Sequence, residues 1–127
     1  MYEIGVVVHF EAAHRLKGDF GPATRLHGHT YRVEVTARGP ALAGDGTLCD
    51  LSVLDGAVRE AAGGLHLRDL DEVPGLQGRN TTAEEVARHL HEDIAPRLAG
   101  RGLASLAVRV WESPERFAGY EAPVPGS

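Results

Sequence analysis

The chain has 127 residues, 43% hydrophobic and 24% charged, with a formal net charge of -5. That length suits one domain with a real core, and the acidic balance supplies no general basic field for nucleic acid or an anionic membrane. No apolar run approaches the ~20 residues of a membrane span, and no basic start followed by an apolar stretch marks a signal peptide. The single cysteine, Cys49, excludes an internal disulfide and fits a reducing cytoplasm.

Residues 4–14 alternate apolar and polar, which predicts a strand with Val6, Val8, Phe10, Ala12 and His14 on one face. Residues 15–26 carry Gly and Pro and read as a loop. Residues 27–38 predict a second strand, with His27, His29, Tyr31, Val33 and Val35 toward a core and Arg32, Glu34 and Thr36 toward water. Asp50 suits the N-cap of a helix over residues 51–62, which Gly63 and Gly64 stop. Residues 65–80 read as a loop. A second helix follows, opened by a capping box of Thr81 with Glu84 or Thr82 with Glu85, and carrying Val86, Leu90, Ile94 and Leu98 along one stripe. Residues 105–112 predict another strand, and a short one around Phe117 to Tyr120 is expected to pair with it. The order ββααβ, with a last short β, predicts an α+β domain: an antiparallel sheet with two helices on one face. The domain is expected over residues 1–121, with residues 122–127 as a flexible tail.

Three histidines fall in phase with the core. His27 and His29 are two apart on one strand and project to one face, while His14 closes the first strand. If the strands pair as a hairpin, three imidazoles converge. Three neutral imidazoles and one open position match a catalytic zinc site, and iron or another divalent ion uses the same nitrogens. His9 has the opposite parity, and His89 and His91 read as solvated on a polar helix face. Glu112 shares the parity of Leu106, Val108 and Val110, so a carboxylate stands where an apolar residue is due. Either it anchors a ligand, accepting two parallel N–H bonds from an amidine-like edge, or it bends out to water or pairs with an arginine.

Phe10-Glu11-Ala12-Ala13-His14, His27-Gly28-His29, Thr82-Ala83-Glu84 and Val108-Arg109-Val110-Trp111-Glu112-Ser113, in that order across nearly the whole chain, resemble the 6-pyruvoyl-tetrahydropterin synthase and 6-carboxy-tetrahydropterin synthase family. The resemblance implies the tunnelling fold, in which such units assemble into barrels, so a homo-oligomer (hexamer or trimer) with sites between subunits is expected. It implies that His14, His27 and His29 hold zinc. It also implies that Glu112 anchors a pterin-like ring, helped by Thr82, with Glu84 near the substrate. Family members convert dihydroneopterin triphosphate by losing triphosphate and rearranging the side chain.

Two family features are replaced. The cysteine expected four residues before His27 is Ala23, and the Asp-His pair expected in an L-D-H-x-x-L segment is His66-Leu67 within Leu65 to Leu70. His66 and Asp69 are the first candidates to move protons in their place; Asp71 and Cys49 are further ones, and Arg25, two residues before His27, is a candidate to bind an anionic group. The reading is a zinc-dependent lyase or synthase acting on a pterin-like or related small polar substrate without the usual cysteine chemistry. The alternatives are a non-catalytic zinc and pterin-like ligand binder of the same fold, and a dihydroneopterin aldolase-type enzyme.

Overall fold

The computed structural model describes residues 1–126; Ser127, the end of the expected tail, lies outside the described residues. Strand β1 (Tyr2–His14) and strand β2 (His27–Gly39) form a long antiparallel pair. Helix α1 (Leu51–Gly63) follows, then a two-residue strand β3 (Arg68–Asp69), helix α2 (Ala83–Ile94), and strands β4 (Ser105–Ser113) and β5 (Arg116–Pro123). The sheet order is β3-β1-β2-β4-β5.

The alternation legible in the sequence is realised as one dry face. Val8 and Phe10 on β1, Tyr31, Val33 and Val35 on β2, and Leu106, Val108 and Val110 on β4 are buried. Their neighbours Glu11, Arg32 and Arg109 point the other way and are exposed. α1 packs on β1 and α2 on β4 and β5, so both helices cover that face. α1 starts at Asp50, whose carboxylate accepts the Ser52 N–H at 2.9 Å. α2 starts at Thr82, whose hydroxyl accepts the Glu85 N–H at 3.3 Å; the reciprocal half of the expected box is not made, because the Thr82 N–H donates to the Asn80 carbonyl and the Glu85 carboxylate pairs with Arg79 and Arg88. Val86, Leu90, Ile94 and, just beyond the helix, Leu98 are fully buried, each contributing about 1.5–3 kcal/mol by leaving water. Gly39 closes β2 where a β-carbon would lie 2.7 Å from Leu48 Cδ1 and 2.9 Å from the Gly102 carbonyl oxygen.

Four expectations change. The sheet is mixed rather than wholly antiparallel, because residues 65–80 are not all loop: the Leu67 N–H reaches the Glu11 carbonyl at 2.6 Å and sets β3 parallel to β1. His91 is buried, not solvated, because it falls eight residues after Ala83 on the inward stripe, where its Nε2–H donates to the Ala122 carbonyl at 3.1 Å. His89 is half-buried against Gly75. The last strand is longer than expected: Ala122 and Pro123, placed in the tail from the sequence, complete β5, and Val124 is buried beside it with its N–H on the Ala104 carbonyl. No helix among the described residues is long and apolar enough to cross a membrane.

Candidate metal centre

The register of β1 and β2 sets His14 directly opposite His27, and Ala12 opposite His29. All three rings lie on the dry face, with centroids 4.6 Å (His14–His27), 5.1 Å (His14–His29) and 4.8 Å (His27–His29) apart. One ring nitrogen from each falls within 4.8 Å of the others. His14 is fully buried; His27 and His29 are half-buried at the open side.

The proton positions follow from the partners. His14 Nδ1 lies 2.8 Å from the Thr81 carbonyl oxygen, and His27 Nδ1 lies 2.8 Å from that of Arg25. A carbonyl only accepts, so both Nδ1 atoms carry the proton and both Nε2 atoms keep a lone pair. His29 Nε2 stands 3.2 Å from His14 Nε2. Two nitrogens bound about 2.0–2.1 Å from a tetrahedral metal are separated by about 3.3 Å, so the donor set fits zinc in type, His14 and His27 in tautomer, and the His14–His29 pair in spacing. Burial is the main cause that holds the His29 pKa below the ordinary imidazole value, with His14 and His27 acting the same way and Glu112 opposing. A neutral ring is the form that ligates.

Glu112 lies beside the three imidazoles. Its Oε2 is 3.8 Å from His29 Nε2, with the side chain 31% exposed, beside a strand irregularity between Trp111 and Ser113. Thr82, Glu84 and Glu112 border one hollow of about 380 Å³, walled also by Leu16 and Phe20. Tyr31, next on the same face after His29, is fully buried, and its hydroxyl has no hydrogen-bond partner among the described residues; burial, with the charges of Glu112 and Asp71, keeps it protonated.

The candidate proton carriers separate. Asp69 borders a different hollow of about 510 Å³ with His29, Glu11, Thr30 and Arg68. His66 lies on the outer edge of β1, where its Nδ1 accepts the Glu11 N–H at 3.1 Å; it borders a small hollow with His9 and Arg59 that none of the three histidines reaches. Leu67 is exposed with φ of 60°, and Ala23 is half-buried with its carbonyl accepting the Leu16 N–H. Cys49 lies far along the fold, beside Tyr2 and Leu51. Sequence reasoning missed Thr81 and gave Asp71 a different part: Thr81 is fully buried under His14, and its hydroxyl donates to Asp71 Oδ1 at 3.0 Å. No local pattern in the sequence marks the His14–Thr81 contact, which joins positions 67 residues apart.

Fold and centre together define a small α+β protein built round a three-imidazole, metal-type site on a strand pair. The family model described as 6-pyruvoyl tetrahydropterin synthase matches residues 3–123, and the chain belongs to that family. It is 31% identical over 132 residues to a Pyrococcus horikoshii protein provisionally named 6-carboxy-5,6,7,8-tetrahydropterin synthase, across 86% of this chain and 83% of that one. It is 27% identical to the Haemophilus influenzae 6-carboxy-5,6,7,8-tetrahydropterin synthase, across 95% and 99%. The solved 6-pyruvoyl tetrahydropterin synthase of Caenorhabditis elegans superposes with a TM-score of 0.82 at 24% identity, covering 95% of each chain. A catalytic-residue mutant of the Plasmodium vivax enzyme superposes with a TM-score of 0.78 at 20% identity, across 98% and 100%. The fold is the tunnelling fold of those structures.

Proposed function

We propose that this chain is a zinc-dependent lyase acting on a pterin-like substrate, with a carboxylate in the proton-moving role that a cysteine fills in the usual family plan. The carrying observation is the convergence of three imidazoles, two of them with Nδ1 committed to carbonyls, next to Glu112. When bound, zinc would act as a Lewis acid on side-chain oxygens of the substrate and make an adjacent C–H more acidic. Glu112 accepts two N–H bonds from the amidine-like edge of the ring, and Thr82 and Glu84 border the hollow that receives it. Asp69 is nominated as the base on its fixed carboxylate, one oxygen being held by the Asp71 N–H at 3.0 Å; the hollow it borders with His29, Glu11 and Thr30 is separate from the one that receives the ring. The Plasmodium vivax comparison supports a carboxylate in such a part, since the residue named catalytic in that protein is a glutamate. His66, which lies away from the imidazoles of its own chain, is assigned on this reading to the site of an adjacent copy. Assembly of copies is supported by the sheet edges: among the described residues β5 has no outer neighbour, and the outer edge of β1 is covered only by the two residues of β3.

Ala23 and Leu67 favour one other reading, a zinc and pterin-like ligand binder without turnover. Zinc-loaded protein incubated with dihydroneopterin triphosphate and with dihydroneopterin, followed by mass analysis, separates the two. A new tetrahydropterin product is expected. Thermal stabilisation by either compound without product would establish the binder, and purified protein lacking stoichiometric metal, with no change in His27→Ala or His29→Ala, would remove the metal centre itself.

A further inference from the structure

We propose that Asp71 is a positioning residue for the metal centre: acting through the Thr81 hydroxyl, it holds His14 in the tautomer that can ligate. The inference rests on the metal reading above. His14 is fully buried, so its tautomer is set by protein groups alone. Its Nδ1 faces two oxygens of the same residue, the Thr81 carbonyl at 2.8 Å and the Thr81 hydroxyl at 3.4 Å. A carbonyl only accepts, but a hydroxyl both donates and accepts. If the hydroxyl turned its proton toward His14, it would favour the form with a lone pair on Nδ1 and a proton on Nε2, and that form has no lone pair to offer at the centre. The Thr81 carbonyl opposes this turn, and Asp71 removes the competing donor. Its Oδ1 takes the Thr81 hydroxyl proton at 3.0 Å, so the hydroxyl lone pair is what faces Nδ1–H.

Asp71 is itself held from both sides. Its Oδ2 accepts the Arg15 N–H at 3.0 Å, directly after His14, and its own N–H donates to Asp69 Oδ1 at 3.0 Å. The result is a carboxylate-to-histidine chain with a threonine inserted, the kind of outer support that fixes ring orientation and ligand basicity in metal sites. Asn80 provides an internal control. It ties the same two segments, accepting the Lys17 N–H at 2.8 Å and donating to the Lys17 carbonyl at 3.0 Å, but none of its side-chain bonds involves Thr81 or His14.

The test compares Asp71→Ala, Asp71→Asn, Asn80→Ala and the double variant Asp71→Ala with Thr81→Val. Two readouts serve: the imidazole nitrogen NMR shifts of His14 in metal-stripped protein, and zinc affinity by competition with a chelator. Wild type is expected to show Nδ1-protonated His14. Asp71→Ala moves His14 toward the Nε2-protonated form and weakens zinc by about 10–100-fold, the range for loss of an outer-sphere partner. Asp71→Asn, which keeps an acceptor oxygen, recovers most of both, and stands in should the alanine variant not fold. The double variant regains the Nδ1-protonated form because the competing hydroxyl is gone. Asn80→Ala lowers the melting temperature and leaves both readouts unchanged. The proposal is overturned if Asp71→Ala keeps the wild-type tautomer and zinc affinity, or if Asn80→Ala changes them equally. Should wild type bind no zinc, the metal reading falls, and the His14 shifts alone still decide whether Asp71 sets the tautomer.

Discussion

Glutamine at position 112 isolates the ring anchor from everything else at the site. Among the described residues the ion-pair partner of the Glu112 carboxylate is His29, at 3.8 Å, which is too long for a hydrogen bond. Glu112→Gln therefore leaves the imidazoles their present partners, and metal content is expected to stay unchanged. Hydrogen bonds to a charged acceptor contribute about 1.5–3 kcal/mol each. Glutamine keeps one acceptor but turns an NH2 toward the second N–H of the ring, so one bond is lost and two donors meet. With 31% of the side chain exposed, water relieves part of that mismatch. The net loss is about 2–3 kcal/mol, or about 30- to 150-fold in Kd at 1.4 kcal/mol per tenfold. Calorimetric titration of zinc-loaded wild type and variant with pterin measures it directly. Binding within twofold of wild type would refute the anchor; loss of metal from the variant would show that Glu112 supports the centre instead.

Two further outcomes can be checked on stability alone. His29 and His89 both have pKa values lowered from 6.5, burial being the largest cause, so in metal-stripped protein the unfolded chain binds more protons than the folded one below that value. Their contribution is complete above 6.5 and is lost as pH falls through the lowered folded values; urea midpoints measured on both sides of this window should differ, and a flat profile in wild type would contradict the assignment. Gly39→Ala places a β-carbon 2.7 Å from Leu48 Cδ1 and 2.9 Å from the Gly102 carbonyl; backbone does not yield as a side chain does, so a loss of about 1–3 kcal/mol is expected in the urea midpoint, and an unchanged midpoint would show that the β2 end is loosely held.

What the sequence disclosed is what short-range periodicity can carry. The i, i+2 spacing of His27 and His29 fixes their common face whatever the partner strand, and the parity of His14 with Phe10 fixes the third ring once the two strands pair. The Thr82 cap and the stripe from Val86 to Leu98 are equally local. What stayed hidden joins segments far apart. The His14 contact with Thr81 spans 67 positions, and the Arg15 contact with Asp71 spans 56. No periodicity encodes either. β3 is two residues long, shorter than any alternation that could reveal it. His91 was legible in principle: Ala83, Ala87 and His91 continue the inward stripe, and reading the charge of the side chain before its position on the helix placed it in water.

On the proposed reading, the same distinction explains which parts of the family plan this chain keeps. The three imidazoles sit on the most tightly specified element of the fold: slipping the β1–β2 register by one residue would turn the whole apolar set of a strand to the wrong face. The proton-moving groups have no such protection. Ala23 lies in the loop between β1 and β2, and Leu67, at φ of 60°, lies in the turn leading into β3, so both replacements leave the core untouched. A substitute must then come from a segment that is held still without belonging to the core. Asp69 meets that condition: it ends β3, is half-buried, and has one oxygen engaged by the Asp71 N–H. Asp71 in turn reaches His14 through Thr81. On the proposed reading, therefore, the ligand His14 and the base Asp69 are tied to one residue, and Asp69→Asn should cost turnover by about 10²–10⁴-fold while zinc affinity stays at the wild-type value. Equal loss of zinc and turnover in that variant would make Asp69 part of the support for the centre and leave the base to be found elsewhere.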